Sequence, residues 1–421
     1  MDIREFSEHF NLTAEQRDFV IKYGYNEVAD RLNDVPGSLN ESSIRREADK
    51  LHSKLDVENL LAAADEIIND RYSLAFYNFT CYYWWERQET MLYGNKLPLW
   101  EQRPVTADRV GIYNLLAALA GFQAVERSYA QLGLPPEVAQ DTIQYITGAV
   151  QEYAAGHDGK CGVGWNKLQW MRFYVDGKLF RIGRFEYMVQ DPMNYLPAAY
   201  RRNSDGRVVA LCREGWKLTR EGLIPYNSDP ASAVYKVAHI RRQDNTVSGI
   251  PLNPAGFAEV DREITLDLTE YSPVWSNWDL VPGIHIPGGG KMTPEACRES
   301  LQKAVKFFKH YFKREVAGFS CFSWIFNTQF EEVLPESNLA EFMRQLYLVP
   351  FTPVGVEGLA FVFGKSTSGD WSDYPRDNSL RRAFHQIRES GQRLRGGAMF
   401  VEARGIENFG QQIYRQDYKE F

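Results

Sequence analysis

The sequence predicts an α+β protein: an all-helical N-terminal domain over residues 1–132, then a mixed-sheet α/β domain over residues 133–421. Three observations predict it. Apolar residues recur at helical spacing as far as Leu132. From Lys167 the period changes to alternation. Residues 278–314, WDLVPGIHIPGGGKMTPEACRESLQKAVKFFKHYFKR, read as a strand, a glycine turn and a long helix, the unit around which the second half is arranged. Gly133-Leu134-Pro135-Pro136 marks the boundary, because proline stops one helix and starts the next.

In the first half, Thr13-Ala14-Glu15-Gln16 is a capping box that opens a helix stopping near Gly24. Residues 42–55 are polar and helix-prone. Residues 57–85 form one long helix or two, with Leu60, Leu61, Ala64, Ile67 and Ile68 on one face and Tyr82-Tyr83-Trp84-Trp85 at the end. Residues 95–104 hold two prolines and predict a loop; residues 106–132 predict a helix rich in Ala and Leu.

In the second half, residues 137–155 predict a helix ended by Gly156. Residues 169–175 and 178–189 predict a hairpin about Asp176-Gly177, a type I′ signal. Residues 208–218 and 263–268 add strands, and residues 227–258, rich in Pro, Asn, Gly and Ser, predict a mobile loop. The central segment supplies a strand at 280–286 and a helix opened by Thr293 as N-cap and Pro294 at the first position. Cys297, Leu301, Ala304, Val305, Phe308, Tyr311 and Phe312 form its apolar face. A strand at 319–326, a helix at 339–348, a strand at 359–363, a helix at 379–390 and a strand at 398–401 complete the chain.

Composition excludes several classes. With 421 residues, 44% of them hydrophobic, the chain can build substantial cores. A net charge of −7 lacks the basic footprint of a nucleic-acid binder. The five cysteines, Cys81, Cys161, Cys212, Cys297 and Cys321, are odd in number, widely spaced and without C-x-x-C. They read as reduced thiols of a cytoplasmic protein, not a disulfide framework or zinc site. The opening MDIREFSEHF is charged and reads as no signal peptide, and no apolar run approaches a membrane span.

The turn Pro287-Gly288-Gly289-Gly290-Lys291-Met292 precedes a helix start, where unpaired amides and a partial positive charge favour phosphate. The alternative is a strand-to-helix turn that needs glycine for positive φ. A P-loop is excluded: four residues of spacing back from Gly290 stands His285, and Met292 follows the lysine. A G-x-G-x-x-G fingerprint fails because Thr293 stands where the last glycine would be.

His285-Ile286-Pro287, Cys297-Arg298-Glu299-Ser300-Leu301 through Phe307-Phe308, and Cys321-Phe322-Ser323-Trp324 carry a resemblance. Leu334-Pro335-Glu336-Ser337-Asn338, Pro375-Arg376-Asp377-Asn378-Ser379-Leu380 and Ile182-Gly183-Arg184-Phe185 add to it. In order and spacing the chain resembles acyltransferase proteins with an N-acyltransferase N-terminal helical domain and a GNAT-like C-terminal domain. That resemblance implies acyl-CoA or acetyl-CoA as co-substrate, without a metal, and a small-molecule amine acceptor attacking the thioester directly. It implies neither nucleic acid nor membrane as partner, and leaves the oligomeric state open. The pyrophosphate would sit on Gly288, Gly289, Gly290, Lys291, Met292 and Thr293, and the pantetheine arm along the backbone of Ile284 to Pro287, Ile286 included. Residues 320–326 would form the splayed partner strand. The usual Q-x-x-G-x-G is absent, so this carry-over is by position in the fold. A catalytically silent GNAT-like binding or scaffold protein is the alternative.

Three residues are the catalytic candidates. His285 has the ordinary pKa of a base for an ammonium acceptor, or else is a strand histidine bonded to backbone. Cys321 and Ser323 share a sheet face by alternation, so Cys321 is a candidate acyl carrier and Ser323 a proton donor to the leaving thiolate. Their alternative is a small buried pair in a packed strand, and a Cys or Ser hydrolase lacks the G-x-S-x-G that would support it. Glu186 is a base or a strand carboxylate beside Arg184. The lysines of the central helix meet the CoA 3′-phosphate or form a solvated face. Asp370, Trp371, Asp373 and Tyr374 line an acceptor pocket or cap the sheet.

Overall fold

The computed structural model describes residues 1–87, 109–190, 194–288, 290–364 and 373–418. Gly289, Asp370, Trp371 and the loop expected at 95–104 lie outside the described residues. The chain divides into two compact units, residues 1–182 with 287–289, and residues 183–286 with 290–421.

The first unit is helical almost throughout. Thr13 and Gln16 form both bonds of the capping box before the helix Ala14–Lys22. The long pattern at 57–85 is two helices, Val57–Asn69 and Arg71–Cys81, followed by a π-helical turn at Tyr82–Glu86. Asp70 divides them: its backbone is extended, and its carboxylate accepts from Ser73 N at 2.8 Å as the second helix's N-cap. Val110–Gln131 is buried around its whole circumference from Gly111 to Leu119, which makes it the axis of this unit. Past Pro135 come Pro136–Ile143 and Tyr145–Gly156.

The hairpin expected about Asp176-Gly177 is not there; Asn166–Val175 is a helix. Gly177, at φ +62°, stands just past its C-cap. Lys178 N bonds Phe173 O at 3.0 Å and Gly177 N bonds Tyr174 O at 2.9 Å, the Schellman pattern that ends helices. A dipeptide that favours left-handed backbone serves a helix end as well as a hairpin. The two-residue turn falls later, at Gly183-Arg184 between Leu179–Ile182 and Phe185–Met188, with Gly183 at φ +65°.

Five strands of the second unit define its sheet: β1 (Phe185–Met188), β2 (Gly283–His285), β3 (Gly318–Ser323), β4 (Tyr347–Pro350) and β5 (Gly397–Glu402). They lie in the order β1-β2-β3-β5-β4. Only β2 and β3 are parallel; β1·β2, β3·β5 and β4·β5 are antiparallel. The helix α1 (Pro294–Phe312) covers one face: Ser300 Oγ lies 2.8 Å from Tyr187 Oη and accepts from Phe185 N at 3.2 Å. Tyr187 also packs on Phe308 and Phe319.

Three expectations are corrected in this unit. The loop at 227–258 holds the strands Lys236–Val237, Arg241–Gln243, Thr246–Gly249 and Pro251–Leu252. These are too short for their alternation to show, yet Val247 is fully buried with Tyr200 and Leu266. Leu359–Phe363 is a helix, set between Gly358 and Gly364, both at positive φ. The expected helix at 339–348 stops at Arg344, and Tyr347–Pro350 is β4.

Thr293 Oγ1 accepts from Ala296 N at 3.3 Å at the start of α1. Thr293→Ala should therefore lower stability by about 0.5–2 kcal/mol, read from the denaturant midpoint.

Candidate functional site

β2 and β3 bond each other only at their beginning. Leu280 and Val316 form a bridge, Ala317 N bonds Leu280 O at 3.0 Å, Ser320 N bonds Pro282 O at 3.1 Å, and Gly283 is in register with Ser320. Past that pair each strand follows its antiparallel neighbour. Ile284 and His285 stay in register with Tyr187 and Glu186 of β1; Cys321, Phe322 and Ser323 stay in register with Met399, Ala398 and Gly397 of β5. The sheet thus parts toward the C-terminal ends of its two parallel strands. A Cβ at Gly283 would stand 2.7 Å from Gln190 Nε2, so that flexible side chain would have to move aside for it.

Alternation assigns the faces. Tyr187, Ile284, Phe319, Cys321 and Ser323 share the face covered by α1, as the Tyr187–Ser300 and Tyr187–Phe319 contacts fix. Glu186, His285, Ser320 and Phe322 share the other, where Tyr195 Oη donates to Ser320 Oγ at 3.2 Å. His285 and Phe322 are the first side chains past the split on this second face, one on each lip.

His285 and Cys321 are therefore not brought together. Burial pushes the Cys321 thiol well above its ordinary pKa, and Sγ lies 3.6 Å from Phe322 O, so the sulfur stays a neutral thiol. Ser323 Oγ accepts from Ile325 N at 3.3 Å and caps the turn Trp324–Phe326. His285 keeps some solvent-reachable surface, yet its ring is hemmed in closely enough that burial lowers its pKa to about 4. Its register partner Glu186 is 2% exposed. Directly opposite residues of an antiparallel pair hold their Cβ atoms about 4.5–5.5 Å apart, so the buried Glu186 side chain starts beside that of His285 on the same face.

The glycine turn is held from one side. Arg184 Nη2 donates to Gly290 O at 2.9 Å and Nε donates to Lys291 O at 3.3 Å. In a trans peptide the carbonyl and the next amide point in opposite directions. The Lys291 and Met292 amides therefore face away from the guanidinium. Among the described residues, none of the Gly290, Lys291, Met292 and Thr293 amides donates to another residue. Gly288 is exposed, has no positive φ, and would meet nothing within 4 Å if it carried a Cβ. Gly290 also lacks positive φ, so at these two positions backbone conformation does not call for glycine.

Other candidates fall into ordinary roles. Lys303, Lys306 and Lys309 are exposed, and Lys309 pairs with Glu315 at 2.7 Å. Tyr374 is buried beside Phe363, while Asp373 is exposed. Among the described residues no three His, Cys, Asp or Glu side chains are grouped to hold a metal, and no helix is long and apolar enough to cross a membrane. Arg184 and Tyr195 are the site residues that sequence reasoning passed over. Arg184 follows a turn glycine and gave a weak signal; Tyr195 gave none, since only the folded sheet brings it to Ser320.

A parallel strand pair that parts, with a helix start after its first strand, defines a GNAT-like α/β domain preceded by a helical region. The chain belongs to the family of the GNAT-like C-terminal domain, whose model matches residues 179–400. Among solved structures, an acyltransferase in complex with decanoyl-CoA and teicoplanin aligns with a TM-score of 0.61 at 18% identity, over 96% of this chain and 100% of its own. An acyltransferase with CoA and 10C-teicoplanin gives 0.60 at 18%, over 96% and 100%. A mutant acyltransferase with octanoyl-CoA gives 0.58 at 19%, over 96% and 99%. A comparison with curated proteins gave no match.

Because the folded chain holds His285 neutral to about pH 4, below an ordinary value of 6.5, only the unfolded chain takes up that proton in between. Stability from the neutral ring is complete above pH 6.5 and is lost as pH falls toward 4. His285→Gln should flatten this part of the stability curve, measured by chemical denaturation across that interval.

Proposed function

We propose that the chain is an acyl-CoA-dependent N-acyltransferase in which a small-molecule amine attacks the thioester directly. The parting of β2 and β3 beyond Gly283 and Ser320 carries this reading. It leaves the edge of β2 at Ile284 and Ile286 facing a gap in the sheet, where the amides and carbonyls of a pantetheine arm can bond as a strand would. The open amides of Gly290 to Thr293, at the start of a 19-residue helix, suit a diphosphate. Structures of the same fold hold octanoyl-CoA and decanoyl-CoA, which supports the donor class.

His285 is the proton acceptor. The amine attacks in its neutral form, its electron pair forms the new C–N bond, and the neutral imidazole takes the proton that the nitrogen sheds as it becomes positively charged. The C–S electrons leave with CoA as thiolate, which then takes up a proton. Glu186, the buried register partner of His285, is the neighbour suited to steady the imidazolium once formed. Cys321 has no part, because its thiol is neutral and faces the helix side.

The alternative, a silent binding module, draws on the departure from Q-x-x-G-x-G; the parted strands favour a bound donor. CoA at a hundredfold its Kd should stabilise the chain by about 2.7 kcal/mol, visible as a rise in Tm. No rise with CoA or any acyl-CoA would leave the silent reading. Arg184→Gln frees the turn's carbonyls and should weaken CoA binding about tenfold, measured by calorimetry. In assays of CoA release with an amine panel, His285→Ala should lose about 100-fold or more of turnover, while Cys321→Ala keeps it within about threefold.

A further inference from the structure

We propose that the donor carries a long apolar acyl chain and that Phe322, Phe351 and Tyr195 form the wall it lies against. The inference rests on the acyl-CoA reading of the parted strands and adds the chemistry of the transferred group.

The two lips of the split differ in kind. On the face away from α1, the β2 lip carries His285, opposite Glu186 of β1, and the β3 lip carries Phe322. Phe322 is 36% exposed, a large aromatic ring within reach of solvent in the middle of a sheet. Its ring stacks on Phe351, with centroids 5.2 Å apart and planes 14° apart. Tyr195 meets both rings edge-on, at 5.5 Å from Phe322 and 5.9 Å from Phe351. The Tyr195 hydroxyl donates to Ser320 Oγ, the side chain of the last paired residue of β3, so this wall begins where the split begins.

A thioester carbonyl placed between the lips has its reactive carbon beside His285 and its acyl substituent directed along aromatic rings. An acetyl group would leave most of this surface in water. A longer chain covers it, and each methylene removed from water tightens binding by about twofold to fourfold.

The test is calorimetric titration of the full chain with CoA, acetyl-CoA, octanoyl-CoA and decanoyl-CoA. Affinity should rise with chain length, and decanoyl-CoA should bind at least about tenfold more tightly than acetyl-CoA. Phe322→Ala and Phe351→Ala should reduce that ratio by about tenfold or more and leave the Kd for CoA itself within about twofold. Phe322→Leu, which keeps an apolar side chain, should retain most of the ratio. Trp278→Ala, at a site 88% exposed, controls for adsorption of acyl chains on surface aromatics and should change nothing. Equal affinity for acetyl-CoA and decanoyl-CoA, or an unchanged ratio in both alanine variants, overturns the wall while CoA binding still stands. Failure to bind CoA at all overturns the acyl-CoA reading and the wall with it.

Discussion

Two strands that each keep one neighbour and give up the other open a gap in the sheet of the second unit. β2 cannot follow both β1 and β3, because the antiparallel ladders on either side diverge past Gly283 and Ser320. Parallel pairing is the weaker kind per residue, so it is the ladder that yields. Backbone polar groups need partners, and edges that stop bonding each other are suited to a ligand that offers amides and carbonyls of its own.

The turn after β2 depends on the same logic one step further on. Arg184 comes from the hairpin turn that leads into β1, and it draws the carbonyls of Gly290 and Lys291 to one side. Planar trans peptides then oblige the following amides to face the other way. The guanidinium acts through the backbone, and would orient an anion seat without touching the anion. The absence of any conformational need for glycine at 288 and 290 is consistent with this: small residues there leave the backbone open to close approach.

Much of the architecture was legible in local signals. The capping box at Thr13 and the N-cap at Thr293 depend on neighbours in the chain and formed as read; the face of α1 was read in part, since Ser300 and Phe307 join its buried side while Val305, Tyr311 and Phe312 are half-buried. The misreadings have separate causes. Gly177 of Asp176-Gly177 supplies left-handed backbone, which ends a helix as readily as it closes a hairpin. The strands between 227 and 258 are two to four residues long, too short for a period to register against their turn-forming composition. The candidate site was less legible than the fold. The sequence could point to the strand–turn–helix, but which side chains lie together there depends on contacts between segments far apart in sequence. Glu186 stands opposite His285 only through strand register, and Tyr195 reaches Ser320 only in the folded chain.

Register also decides between two chemistries that the sequence left open. Shifting a residue by one place along a strand turns it to the opposite face. Gly283 pairs with Ser320, so His285 is level with Phe322, and Cys321 is one step out of phase. A covalent route needs a thiolate within reach of a base, but the cysteine faces α1 among buried apolar rings while the histidine faces away. Moving the thiol to the histidine's face would require a slip of the whole strand, which would bury Phe322 against α1 and expose Phe319. The hydrophobic pattern of β3, with Phe319 fully buried and Phe322 exposed, forbids that slip. The packing of one strand thereby keeps the Cys321 thiol on the face opposite His285, which counts against an acyl-cysteine route through that pair.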